Sequence, residues 1–324
     1  MKRILVTGGG GYIGCHACKA LAVAGFVPVC FDNLSRGHAH AVKWGPLIQG
    51  DLLDPMAMDQ AIAEVCPAAV MHFAAFSHVG ESVAEPIMCF RNNFSGTLNL
   101  LDSMHRHGVD RLVFSSTCAT YGLPEKLPLT ENHPQRPVNP YGASKLMVER
   151  ALADCTVAYG LRAISLRYFN AAGADEACEI GEEHEPETHL IPLVLAAARG
   201  GRPVTVHGDD YDTPDGTCIR DYIHVADLAD AHILALHLLL DGAASASYNL
   251  GNGRGYSVRE VISAAEDVTG VLIATRVGAR RAGDPPLLVG DATKFIHDHG
   301  WQIQRPDIDT IIECAWRWHK KHRS

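Results

Sequence analysis

The stretch Ile4-Leu-Val-Thr-Gly-Gly-Gly-Gly-Tyr-Ile-Gly14 sets the fold of the chain around it. Ile4–Thr7 is short and apolar, as a buried strand is. Four glycines follow, and Cys15–Ala24 then reads as a helix. Strand, glycine turn and helix make an anion-binding arrangement. Glycines let the backbone approach a pyrophosphate, and the open N–H groups at the helix N-terminus receive its charge. The glycine run leaves two registers open. Gly9, Gly11 and Gly14 fit G-x-G-x-x-G, while Gly8, Gly11 and Gly14 fit G-x-x-G-x-x-G, with Tyr12 and Ile13 inside both.

Working outward, the next strand, Val27–Phe31, ends at Asp32, 18 residues beyond Gly14. An acid at that place hydrogen-bonds the ribose hydroxyls of a dinucleotide and disfavours a 2′-phosphate, so the expected cofactor is NAD rather than NADP. Arg36 is the one nearby residue that pulls the other way. Leu47–Gly50 is a third strand, ending at Asp51-Leu52, where an adenine would lie. Ala69–Phe73 is a fourth, and Ala74-Ala75 after Phe73 permits close approach to a cofactor. Pro86–His107 reads as one long helix carrying Asn92-Asn93. Arg111–Ser115 gives a fifth strand, ending in Ser115-Ser116-Thr117, and Ala163–Arg167 a sixth, ending at Tyr168-Phe-Asn170. This alternation predicts an α/β chain with a Rossmann-type, doubly wound parallel sheet, and the polar clusters fall at the strand ends where such sheets bind ligands.

Tyr141-Gly-Ala-Ser-Lys145 lies on the same rim, opening a helix. A phenol and an ammonium four residues apart leave one helix face. Tyrosine, with a pKa of roughly 10, is a poor base at neutral pH. A fixed cation beside it favours the phenolate, which then takes a proton from a hydroxyl while the cofactor takes a hydride.

The bulk numbers fit a soluble globular protein. The chain has 324 residues, 47% hydrophobic and 20% charged, with a formal net charge of −9. No basic run points to nucleic acid. The most apolar run, Ala226–Leu240, is broken by Asp227, Asp230, His232 and His237, so no membrane span is expected. The ten cysteines show no disulfide spacing, and Met1-Lys-Arg leads straight into a strand. The expectation is a cytoplasmic protein with reduced thiols. Cys15-His16-Ala17-Cys18 has no second Cys/His pair at zinc spacing and reads as packing residues. The histidines form no H-E-x-x-H pattern, and no metal is expected.

After about Gly173 the pattern changes. Residues 174–188 are acidic and loop-like. Helix Ile191–Arg199, strand Val204–His207, helix Val225–Leu240, strand Tyr248–Leu250 and helices Val258–Thr269, Ala292–His299 and Ile308–His319 follow. The expected division is residues 1–173 as the cofactor domain, joined by elements from 221–250, and residues 174–324 as a smaller, mixed α/β substrate domain. Helices around Phe90–Leu101 and Leu146–Ala158 are apolar on more than one face, which motivates a homodimer.

Taken together, these stretches resemble the UDP-glucose 4-epimerases of the extended short-chain dehydrogenase/reductase family, from Lys2 to about His319. Thr7–Gly14, Asp32-Asn-Leu-Ser35, His72-Phe-Ala-Ala75, Val79-Gly-Glu-Ser82, Tyr141–Lys145, Leu166-Arg-Tyr-Phe-Asn170 and Asp215–His224 carry the likeness. The resemblance implies Tyr141 as the base, Lys145 lowering its pKa and holding the nicotinamide ribose, and Thr117 bridging the reacting hydroxyl and the phenol. It adds Asn33, Ser35, Gly37, Asn92, Ser115 and Tyr168 to the NAD contacts. It gives Asn170, Arg220, Arg281 and Asp284 to the UDP moiety, with Arg280 as an alternative to Arg281. His189, next to Leu190, and His207 stand where relatives carry Asn and Phe beside the nucleotide. The partner implied is a UDP-sugar.

Ser77 lacks the charge that some relatives supply near the cofactor phosphates, which bears on NAD retention. Leu288 is intermediate at a position that governs N-acetyl sugars, and the resemblance leaves N-acetylhexosamine, pentose and uronate substrates open. A 4,6-dehydratase needs an acid/base pair after Thr117, where Cys118-Ala119 stands. A non-catalytic NAD-binding protein is disfavoured because both Tyr141 and Lys145 are present.

Overall fold

In a computed structural model, which describes residues 1–281 and 284–322, the chain divides into two units. The first holds Met1–Gly122, Pro134–Arg167 and Ala229–Tyr248; the second holds Leu123–His133, Tyr168–Leu228 and Asn249–Ser324.

The first unit is built on a seven-stranded sheet. Its strands are β1 (Arg3–Thr7), β2 (Val27–Asp32), β3 (Leu47–Gln49), β4 (Ala69–His72), β5 (Arg111–Thr117), β6 (Arg162–Tyr168) and a seventh, Ala246–Leu250. The order across the sheet is β3-β2-β1-β4-β5-β6, with Ala246–Leu250 beyond β6. β1 pairs in parallel with β2 and β4, β2 with β3, and β4 with β5. β1 and β4 are buried on both faces, which is why they read as continuous apolar runs. Leu5, Val29, Val70, Leu112, Ile62, Leu100 and Met104 pack into one core. The order reverses between β1 and β4, and at that crevice such sheets bind ligands.

The helix expected over Pro86–His107 is not uniform. It runs as Pro86–Phe90, a π-helical turn Arg91–Ser95, and Gly96–Arg106. The Thr97 hydroxyl donates to the Asn93 carbonyl at 2.6 Å, a local bond that competes with the regular backbone ladder.

The second unit carries short strands. Ile219–His224 pairs with Asn170–Ala172 and Leu287–Leu288 in parallel and with Gly255–Ser257 antiparallel, while Val204–His207 pairs with Thr275–Gly278. Ile191, Val194, Leu195, Val261, Ile262, Ile311 and Ile312 gather helices Leu190–Ala198, Val258–Thr269 and Ile308–His322 around its core. Helix Val258–Thr269 is bounded by a Ser257–Glu260 capping box and by Gly270 at φ +70°. Among the described residues, no helix is long and apolar enough to cross a membrane.

Candidate active site

The glycine turn is crowded at both of its candidate first positions. Gly8 has φ +75°, and a Cβ there would stand 2.5 Å from the Ala74 nitrogen. A Cβ on Gly14 would stand 2.1 Å from the Gly8 carbonyl oxygen. A Cβ on Gly9 would stand 2.7 Å from Cys30 Sγ, while one on Gly11 would come no closer than 3.4 Å, so packing constrains Gly8, Gly9 and Gly14 and both registers keep a crowded first glycine. The helix Tyr12–Val23 starts at Gly11 with no side-chain cap and no acid in its first turn, an N-terminus whose dipole suits an anion.

Asp32, at the end of β2, is buried and accepts from the backbone N–H groups of Gly10 at 2.9 Å and Leu34 at 2.8 Å. Asn33 donates to Asp51 at 2.9 Å, and its amide oxygen accepts from the Ser35 backbone N–H at 2.9 Å and from the Ser35 hydroxyl at 2.7 Å. Arg36 is paired with Glu81 and lies over the Phe76 ring, so it is held by partners of its own.

These strand ends border an open groove of about 550 Å³. It is lined by Gly8 and Gly11 of the turn, Asp32, Asn33, Ser35 and Gly37 after β2, Asp51-Leu52 after β3, Phe73–Ala75 after β4, and Asn92 of the π turn. Tyr12, Ile13, Gly14, Ser115, Tyr141, Lys145 and Tyr168 are not among its lining residues. The glycine cradle and Asp32 fit a dinucleotide whose ribose hydroxyls are unsubstituted.

Two side chains to which the sequence reading gave no role of their own brace this crevice. His72 is buried, with Nδ1 2.6 Å from the Thr7 hydroxyl and Nε2 2.8 Å from that of Thr97. Thr97 spends its proton on the Asn93 carbonyl, so Nε2 of His72 donates to Thr97 and Nδ1 accepts from Thr7. Burial, and then the Lys145 charge, push the His72 pKa down to about 3, which keeps the ring neutral. Asn93 donates to the Phe76 carbonyl at 2.9 Å and to Ser144 at 3.1 Å, and accepts from the Phe76 N–H at 2.8 Å. It thus ties the π turn both to the loop after β4 and to the helix that carries Tyr141.

That helix is Pro140–Tyr159. Asn139 caps it by accepting from the Gly142 N–H at 2.8 Å, Pro140 fills its first position, and Gly160 ends it at φ +71°. A Cβ on Gly142 would meet the Ala119 carbonyl at 2.3 Å, so only glycine lets the helix lie against the turn Cys118–Thr120 that follows Thr117. Thr117 caps this turn by accepting from the Ala119 N–H at 3.1 Å. Tyr141, Lys145 and Thr117 are all buried. Lys145 Nζ donates to the Ser115 carbonyl at 2.8 Å and stands 4.8 Å from the Phe114 ring centroid. Burial lowers its pKa to about 7, with Cys89 and Glu149 acting in the opposite direction.

One turn further along, Glu149 anchors a buried network that the sequence reading also missed. It accepts from Arg167 Nε at 2.9 Å and Nη2 at 2.6 Å, from Ser116 at 2.5 Å and from Gln135 at 3.0 Å. Arg167 also donates to the Tyr121 hydroxyl at 2.9 Å. The signal was present, because Tyr141, Lys145 and Glu149 recur every four residues along one helix face.

In the second unit, Asn170 donates to the Asp221 carbonyl at 3.1 Å, and Arg220 donates to Asp284 at 2.6 Å. Burial works against the Arg220 charge, and Asp284 more than offsets it, leaving the guanidinium pKa raised. Leu288 is the register partner of Arg220. His207 ends its strand, with Nδ1 3.3 Å from the Ala279 carbonyl oxygen. Arg281 is exposed, and its carbonyl accepts from the Asp284 N–H, while Arg280 pairs with Asp210 at 2.7 Å and lies over Tyr211. His189 precedes helix Leu190–Ala198 and meets Glu182 at 2.7 Å and Glu187 at 3.4 Å. Desolvation favours its neutral ring, and these carboxylates outweigh that and raise its pKa.

The model of the NAD dependent epimerase/dehydratase family matches residues 4–251. A UDP-glucose 4-epimerase of Rhizobium meliloti (strain 1021) is 51% identical over 321 residues, covering 99% of this chain and 98% of the relative. Among solved structures, UDP-glucose 4-epimerase from Brucella ovis in complex with NAD superposes with a TM-score of 0.95 at 49% identity, over 98% of both chains. The enzyme from Bifidobacterium longum in complex with NAD+ and UDP gives 0.95 at 39% identity, over 99% of both. The chain belongs to the NAD dependent epimerase/dehydratase family.

Proposed function

We propose that the chain is an NAD-dependent 4-epimerase that interconverts UDP-glucose and UDP-galactose. NAD, when bound, takes the hydride from C4 of the sugar and returns it to the opposite face. Tyr141, as phenolate, takes the proton of the 4-hydroxyl and gives it back, with Thr117 bridging hydroxyl and phenol. Lys145, as ammonium, stabilises the phenolate and holds the nicotinamide ribose. Gly8, Gly11 and Gly14 admit the pyrophosphate, and Asp32 takes the adenosine ribose. The first unit is then the NAD-binding domain. The second binds the UDP-sugar through Asn170, His189, Leu190, His207, Arg220, Arg281 and Asp284.

The observation that carries this reading is Lys145 buried one helical turn from Tyr141, on a helix that Gly142 lets lie against the Thr117 turn. The relatives named UDP-glucose 4-epimerase, and the solved ones holding NAD or UDP, support it. A second reading, in which N-acetylated UDP-hexosamines are also turned over, rests on Leu288, whose size is intermediate at the position that governs N-acetyl sugars.

The enzyme is assigned to the cytoplasm, as a homodimer formed through helices Gly96–Arg106 and Pro140–Tyr159. Leu98, Val157 and Tyr159 are exposed there and support that face. Incubating the purified protein with UDP-galactose and with UDP-N-acetylgalactosamine, and resolving each from its 4-epimer, tests the activity. Conversion of neither sinks the reading. A monomer mass in light scattering at micromolar concentration sinks the dimer.

A further inference from the structure

Four side chains of the second unit converge outside the residues used for hydride and proton transfer. Glu182, His184, Glu187 and His189 each offer one ligand atom, and these atoms all lie within 4.8 Å of one another. His189 Nδ1 is 2.7 Å from Glu182 Oε1 and 3.4 Å from Glu187 Oε1, while His184 Nδ1 is 3.2 Å from Glu182 Oε1 and 4.0 Å from Glu187 Oε2. The cluster is not a solvated acidic surface, since the Glu182 and Glu187 side chains are only 7% and 10% exposed.

A second observation concerns Glu187. Its Oε1 accepts from the backbone N–H groups of Thr188 and His189, at 2.8 and 2.9 Å. Its Oε2 is buried, has no hydrogen-bond partner and faces His184. A buried carboxylate oxygen without a hydrogen bond is costly, and a coordinated cation removes that cost.

The donor set also has a chemical direction. Two imidazole nitrogens and two carboxylate oxygens suit a borderline divalent ion and not Mg²⁺ or Ca²⁺, which take oxygen shells. Tetrahedral zinc binds His nitrogen and carboxylate oxygen at about 2.0–2.2 Å, which sets ligand atoms roughly 3.3–3.5 Å apart. The observed separations straddle that range. Two carboxylates neutralise the ion, and neutral imidazoles complete the set.

We propose that Glu182, His184, Glu187 and His189 form a site for one divalent transition cation of the zinc class. The ion would clamp the loop 182–189 onto the start of helix Leu190–Ala198. The site shares His189 with the nucleotide contacts proposed above, but its test uses neither nucleotide nor turnover, so the two readings fail separately.

The full-length protein, freed of metal by dialysis against chelator, is titrated calorimetrically with ZnCl₂ alone, and with CoCl₂ for its visible spectrum. Expected are uptake of one equivalent per chain, a rise in Tm and the intense absorption of tetrahedral cobalt. His184→Ala and the near-isosteric Glu187→Gln should each lose that equivalent while keeping the parent far-UV circular dichroism. His297→Ala, at an exposed histidine elsewhere, should retain it. No stoichiometric uptake by the parent overturns the proposal, as does unchanged uptake by the folded Glu187→Gln protein.

Discussion

Glu149 and Arg167 form a two-point ion pair, at 2.9 and 2.6 Å, with each side chain 7% exposed, two helical turns along from Tyr141. The pair joins the helix of Tyr141 to β6, and through Ser116 it also reaches β5 just before Thr117. Position along the helix therefore depends on buried polar bonds as well as on apolar packing. Removing one member of a buried pair leaves the other charge unpaired, at about 3–5 kcal/mol. Glu149→Ala should lose that much in urea unfolding, and Glu149→Gln less, because an amide still accepts from the guanidinium. Loss of under about 1 kcal/mol, typical of exposed pairs, would show that the network carries little.

Tyr141→Phe removes the hydroxyl and keeps the ring. If Tyr141 is the base, turnover falls by about 10²–10⁴-fold, the usual worth of a positioned acid–base group. NAD content, read by absorbance after denaturation, should match the parent, because the glycine turn and Asp32 are untouched. Near-normal turnover would take Tyr141 out of the mechanism.

Lys145 has a folded-state pKa of about 7, below its ordinary 10.5, and the cause is burial. Between those values the unfolded chain binds more protons than the folded one, so this group makes stability rise with pH across that window. The cost of burying its charge is fully present below about pH 7 and vanishes near 10.5. Lys145→Met should therefore be more stable than the parent, with the largest gap in Tm below neutral pH and a shrinking one as pH rises. The same variant should lose turnover, since a neutral side chain cannot stabilise the phenolate. A Tm gap independent of pH would mean that Lys145 is not buried as a charge.

Local signals made much of this fold legible. β1 and β4 read as strands because both faces are buried, and the helix read over Val258–Thr269 has those bounds, with Ser257 and Gly270 as its caps. The glycine run could not show which of its members are crowded, because Ala74 reaches Gly8 and Cys30 reaches Gly9 from elsewhere in the sheet. The π turn at Arg91–Ser95 has no periodic signature, and the Thr97–Asn93 hydroxyl–carbonyl bond beside it is visible only in three dimensions. Segment Leu123–His133 belongs to the second unit through long-range contacts, among them the Leu129 carbonyl accepting from Asn249 at 2.9 Å. The convergence of Glu182, His184, Glu187 and His189 was not legible, because their spacing matches no zinc template and an irregular loop sets their geometry.

Arg220, proposed above as a contact of the UDP moiety, pairs with Asp284 at 2.6 Å and is in register with Leu288. A guanidinium binds a pyrophosphate through paired, charge-assisted hydrogen bonds. Each such bond contributes about 1.5–3 kcal/mol, so losing one weakens substrate binding by roughly ten- to a hundredfold. Arg220→Met should raise KM for UDP-galactose by that factor. NAD content should stay at parent level, since Arg220 lies in the second unit and Gly8, Gly14 and Asp32 in the first. A fall in kcat at unchanged KM would instead place Arg220 in the chemical step. Asp284→Asn provides the complementary reading. If Asp284 only steers the guanidinium, its variant should shift KM in the same direction by less, and the double variant should do no more than Arg220→Met alone.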